Sequence, residues 1–191
     1  MLSDVFGATA AGLTTLFAWP QAIRALRKQT TDGLSLTSTL LMGTSGLLWS
    51  AYGLATDSNY ILVANLSVAC AALVIASVFR ARHPFLPLLL VAGACAVLTL
   101  AVLTGPATTG LLGVVVAGAM TLPQAILALR ARTSLAAVSA LTYILLATNA
   151  ACWIVYGALI ADALVVAPNL VTLPASVLIL ARLGRGSAPG R

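Results

Sequence analysis

Charge is what this chain has least of: 7% of its 191 residues are charged, whereas 61% are hydrophobic. A soluble domain carries roughly 25% charged residues. With so few, the chain cannot cover itself with a hydrated surface, and the lipid bilayer is the solvent that suits it. Histidine occurs once, at His83 in a loop between Arg82 and Pro84, where a solvated role fits. The three cysteines, Cys70, Cys95 and Cys152, stand singly inside apolar runs. They have no metal or redox spacing and read as core filler. The sequence contains no nucleophile–base pair, metal cluster or phosphate-binding loop, so it is read as a non-enzyme with no cofactor. A secretory signal is also unsupported: it needs a basic segment ahead of its apolar one, and here Asp4 comes first and Arg24 is the first basic residue. The net charge of +6 does not imply nucleic acid, because the basic residues lie in short loops, where they orient a membrane protein.

What is present is a series of long apolar runs. About twenty such residues cross the hydrocarbon as a helix, and lipid tolerates no unpaired backbone, which makes helices obligatory. Seven runs are expected to span, at about 5–25, 36–55, 60–79, 85–104, 107–129, 136–157 and 163–181. The charges check this count independently. Arg24, Arg27 and Lys28 follow the first run, Arg80 and Arg82 the third, Arg130 and Arg132 the fifth, and Arg182, Arg185 and Arg191 the seventh. All ten basic residues therefore share one side, the cytoplasmic one by the positive-inside rule. Asp4, Asp57 and Asp162 fall on the other. The expected topology is N-terminus out and C-terminus in.

The runs are not independent. Trp19-Pro20-Gln21-Ala22-Ile23 is answered by Leu122-Pro123-Gln124-Ala125-Ile126, an offset of 123 − 20 = 103. Trp49-Ser50-Ala51-Tyr52-Gly53 is answered by Trp153-Ile154-Val155-Tyr156-Gly157, and Asn65 by Asn169, an offset of 153 − 49 = 104. One residue was gained or lost between these anchors. The repeat divides the chain into a triple-helix unit at 1–82, a linker helix within 83–106, a second triple-helix unit at 107–183 and a cytoplasmic tail at 184–191. A lone span between two triplets gives both the same orientation, so the repeats are parallel, related by an axis along the membrane normal.

Each anchor has a functional and a plain structural reading. Pro20 and Pro123 remove a backbone donor and free the carbonyls of Leu16 and Ala119, making either a static kink or a hinge. Gln21 and Gln124 need hydrogen-bonding partners in hydrocarbon, either on a neighbouring helix or as part of an inner gate. Trp49 and Asn65 lie at similar depth, as do Trp153 and Asn169, so each half sets an aromatic face and an amide at one level. An indole offers a flat surface to C–H groups, and an amide both donates and accepts. The pairing suits an uncharged polyol, although a buried Asn also serves as interhelical glue. Ser45 and Asn149, one turn inward of the tryptophans, are further pocket candidates. Tyr52 and Asp57, with Tyr156 and Asp162, form an outer-gate candidate or ordinary interfacial residues. Pro168 precedes Asn169 whereas Ala64 precedes Asn65, so the halves are not equivalent.

Two Pro-Gln triple-helix units joined by a single helix resemble the SWEET sugar transporters of the PQ-loop superfamily. The resemblance covers nearly the whole chain. It implies an all-α integral membrane protein with seven transmembrane helices arranged 3+1+3, a hinge at each Pro-Gln pair and a pocket at Asn65 and Asn169, to which the depth of Trp49 and Trp153 adds an aromatic face on each side. The second and sixth spans lack the prolines that eukaryotic members tend to carry there. No ionisable residue lies deep in any span, which argues for a uniporter and against a charged substrate. The expected partners are a small neutral sugar and the bilayer of a cell membrane, bacterial from the composition. A homo-oligomer is possible but not required for a complete pathway. The alternatives are a PQ-loop transporter of amino acids or another small metabolite, and a seven-helix receptor or trafficking protein.

Overall fold

A true internal repeat should produce the same local structure at the same offset. The computed structural model describes residues 1–30, 34–80, 82–130 and 140–186, with side chains described throughout except at 121–130, 140 and 183–186. Among the described residues there are six helices: α1 (Leu2–Lys28), α2 (Leu36–Ala55), α3 (Asn59–Phe79), α4 (Leu86–Arg130), α5 (Ala140–Leu159) and α6 (Ala163–Gly186). The starts of α2 and α5 differ by 140 − 36 = 104, as do their ends and the starts of α3 and α6. The single residue of drift therefore lies between the Pro-Gln pair and the helix after it.

The connections α2–α3 and α5–α6 repeat bond for bond. Ser58 N–H donates to Gly53 O at 2.8 Å and Asp57 N–H to Leu54 O at 3.4 Å; Asp162 N–H donates to Gly157 O at 2.8 Å and Ala161 N–H to Ala158 O at 3.2 Å. This is a Schellman closure, which sets one residue in the left-handed region. Asp57 (φ 51°) and Ala161 (φ 55°) are those residues. The next residue caps the following helix. Ser58 Oγ accepts from Ile61 N–H at 3.4 Å, and Asp162 Oδ1 accepts from Leu164 N–H at 3.0 Å and Val165 N–H at 3.2 Å.

The fourth element runs for 45 residues and is interrupted at Gly105, where φ is 77° and ψ 179°. That region is open essentially to glycine alone. Pro106 follows, a residue suited to the first helical position, and the buried Thr109 hydroxyl donates back to Gly105 O at 2.8 Å. Two of the expected spans are thus joined in one element. α1 by contrast stays helical through Pro20, and α6 through Pro168 and Pro174.

Four stretches among the described residues are long and apolar enough to cross a membrane: Asn59–Phe79, Leu86–Met120, Leu141–Leu159 and Ala163–Arg182. Their outward residues are large and apolar, among them Leu73 on α3, and Leu88, Val91, Val102 and Leu103 on α4. A patch of this kind needs lipid against it. α2 is more polar because Thr37, Ser38, Thr39, Thr44, Ser45 and Ser50 lie on it.

Contacts divide the chain into two compact units, residues 10–116 and residues 1–9 with 117–191. In the first unit, small residues bring helices together: Ala18, Ala22 and Ala25 of α1 pack on Ala71, Ile75, Ala76 and Phe79 of α3, with Leu86 closing the cluster. Small side chains allow such close approach in membranes. α2 goes further. A methyl on Gly53 would stand 2.6 Å from Leu62 N, and one on Gly46 would stand 2.8 Å from Ala69 N and 2.9 Å from Asn65 O. In the second unit Gly157 meets the Val166 side chain instead, at 2.8 Å, and Ala150 replaces the second glycine. One expectation is corrected here: Cys152 is buried, but Cys70 and Cys95 are exposed on their helices and do not fill a core.

Candidate functional site

The glycine contacts set the levels of α2 and α3. These antiparallel helices pair Gly53 with Leu62 and Gly46 with Ala69. Trp49, between the two glycines, falls level with Leu66, one residue from Asn65. Trp49 is 8% exposed and Tyr52 meets it edge-on, with centroids 5.5 Å apart and planes at 82°. In the other unit Trp153 is also 8% exposed, and Tyr156 meets it at 5.7 Å and 75°. Edge-to-face pairs contribute about 0.5–1.5 kcal/mol beyond burial. Each tyrosine thus braces its indole.

The amides match as closely. Asn65 Nδ2 donates to Ile61 O at 2.9 Å, and Asn169 Nδ2 donates to Val165 O at 2.9 Å. Both residues are half-buried. Each bond ties the amide to its own helix and uses one of its two protons. An amide oxygen and a second proton have further bonding capacity, chemically suited to a group that donates and accepts, such as a hydroxyl. Pro168 provides no N–H to Leu164 O, so the helix before Asn169 is looser than the one before Asn65.

The remaining candidates fall as follows. Ser45 and Asn149 are half-buried; Pro20 and Gln21 are exposed. Pro123 and Gln124 are on the helical part of α4, but their side chains lie outside the described residues. Tyr52 and Tyr156 are buried, at 5% and 4% exposure. The two acids are not counterparts. Asp57 occupies the left-handed turn position that Ala161 holds in the second half, whereas Asp162 is a helix cap matched to Ser58. Register sets Trp49 of α2 and Asn65 of α3 at one level within one unit, while Trp153 and Asn169 lie on α5 and α6 within the other.

Two contacts have no forewarning in the motif reading. Trp19 Nε1, next to Pro20, donates to Ser67 Oγ of α3 at 2.8 Å. The second half has Leu122 and Val171 at these positions, so the bond belongs to the first half alone. That paired replacement is the one sequence signal that points to it. The second contact is Gly113 of α4, which lies against the Trp49 ring.

The architecture is that of an all-α membrane protein in which the α2–α3 pair recurs as α5–α6. Residues 2–62 match the family described as PQ loop repeat, and residues 101–181 match the family described as Sugar efflux transporter for intercellular exchange. The fold is similar to that of a eukaryotic SWEET transporter solved at 3.7 Å resolution, with TM-score 0.80 and 18% sequence identity, over 99% of this chain and 100% of that one. No curated protein matches the sequence significantly. The similarities are thus to transporters and not to enzymes.

Proposed function

We propose that this chain is a SWEET-type carrier, a uniporter that lets small neutral mono- or disaccharides run down their gradient across the cell membrane by alternating access. The observation that carries the reading is the duplicated constellation: an edge-braced indole and a helix-tethered amide, in the same register in both halves. Trp49 and Asn65 in the first half, and Trp153 and Asn169 in the second, are the substrate contacts, with Ser45 and Asn149 as further binding residues. Pro20-Gln21 and Pro123-Gln124 serve as hinges and inner gate, and Tyr52 and Tyr156 close the outer side with Asp57 and Asp162 near them. The absence of ionisable residues deep in the spans supports a neutral substrate without proton coupling.

The chain crosses the membrane seven times, as three plus one plus three spans, N-terminus out. The length of α4 supports this. Straight, its 45 residues would extend about 67 Å, more than twice the hydrocarbon thickness of about 30 Å. Leu90 lines the same crevice as Leu40, while Gly113 meets Trp49. The α4 positions are 113 − 90 = 23 residues apart and the α2 positions only 49 − 40 = 9. A chain that doubles back near Gly105 satisfies both contacts. Leu2, where α1 begins, also maps onto Gly105 at the offset of 103.

The match of residues 2–62 to the PQ loop repeat as such favours a second reading, a carrier of amino acids or another small metabolite. Uptake of radiolabelled glucose and sucrose into proteoliposomes separates the two. Saturable uptake, indifferent to a pH gradient and lost in Asn65→Ala/Asn169→Ala, is the expected result. Movement of amino acids and not sugars by folded protein overturns the sugar assignment. No flux of either class points to a receptor or trafficking protein.

A further inference from the structure

Trp49 is held on two sides. Tyr52 meets it edge-on from its own helix. The other support comes from α4: a methyl on Gly113 would stand 2.9 Å from Trp49 Cε2, 3.0 Å from Nε1 and 3.3 Å from Cδ2. Real carbon contacts settle near 3.5–4.0 Å, so the indole occupies space that any side chain at 113 would take. Gly113 is buried, and Trp49 is nearly so. The ring therefore has little room to retreat without changing its rotamer or its contact with Tyr52. Gly113 follows the break at Gly105, on the segment that the repeat assigns to the second half. In the first half Ala10 holds the matching position at the offset of 103. The seat under the first indole is thus built from the opposite repeat, and it requires a residue without a side chain.

We propose that Gly113 is the positioning residue for Trp49: its bare backbone sets where the indole face lies and so fixes the fit of the substrate on the first-repeat side of the site. This rests on the reading of Trp49 as a substrate contact. Gly113 touches no substrate itself. Its effect passes through the ring, which must slide on a smooth backbone whenever α2 and the segment after Gly105 shift against each other. Because the ring contributes binding more than it gates movement, displacing it should raise KM with little change in the maximal rate.

The test is a double-mutant cycle in proteoliposomes, reading glucose uptake for wild type, Trp49→Phe, Gly113→Ala and the pair. Phenylalanine lacks the indole nitrogen and the ring fused beyond it, which removes most of the clash with a methyl at 113. Each single variant should raise KM about three- to tenfold, the range set by an aromatic contact of this kind. The pair should be no worse than Trp49→Phe alone. Gly118→Ala, with nothing within 4 Å of its added methyl, should transport as wild type. If the two single effects multiply in the pair, or if only Trp49→Phe has an effect, Gly113 does not act through the ring and the proposal is overturned. If neither variant alters uptake, Trp49 is not a substrate contact and both this proposal and the site reading fall. A readout independent of substrate is the emission maximum of Trp49 as sole tryptophan, in a Trp19→Phe/Trp153→Phe background. Gly113→Ala should shift it, and an unchanged spectrum contradicts a displaced ring. If Gly113→Ala yields no folded protein, recovery of folding in the pair supports the proposal and continued failure overturns it.

Discussion

At the residue scale, the proposed site is made by side chains that carry both a surface and a tether. Trp49, Tyr52 and Asn65, and their counterparts Trp153, Tyr156 and Asn169, were legible in the sequence because their identities recur at one spacing. Their geometry then recurs as well. The Trp19–Ser67 bond was not legible, since residues 48 apart are paired by packing and not by any local pattern. It provides a direct prediction. Ser67→Val, which installs the residue type found at Val171, leaves the Trp19 N–H without its partner and should destabilise the protein by about 1–3 kcal/mol. Trp19→Phe/Ser67→Val removes both partners and should recover most of that loss. Denaturation of the purified protein in detergent, followed by far-UV circular dichroism, reads both; a double variant as unstable as Ser67→Val contradicts the pairing.

At the element scale, the apolar runs predict the helices well where flanking turns are sharp. The expected 36–55 coincides with Leu36–Ala55, and the expected 60–79 and 163–181 start within a residue of α3 and α6. The ends differ where helices continue beyond their apolar runs, as in α1 (Leu2–Lys28), since hydropathy does not report backbone geometry. The runs expected at 85–104 and 107–129 appear as one element because the helix is broken at a single residue, Gly105. The left-handed geometry of the α2–α3 and α5–α6 turns was not legible, because Asp57 and Ala161 stand where a glycine would have marked it. Such a conformation costs an L-residue roughly 1–2 kcal/mol. Ala161→Gly should therefore raise the apparent melting temperature of the protein in detergent, with transport unchanged. A lowered melting temperature would contradict the turn geometry.

At the scale of the whole molecule, the proposed carrier rests on the sequence repeat, which sets the same short motif in both halves of the chain. The two triplets have diverged in ways that bear on movement. The first has the Trp19–Ser67 bond and backbone-close glycines on α2, whereas the second has Leu122, Val171 and Ala150 at those positions and two prolines in α6. The central proposal is that Asn65 and Asn169 bind the same sugar. Glucose binding to the purified protein, measured by calorimetry for wild type, Asn65→Ala and Asn169→Ala, tests it most directly. One sugar per chain, with most of the affinity lost in either single variant, is the predicted result. Two sugars per chain, with each variant removing one and leaving the other unaltered, would contradict it.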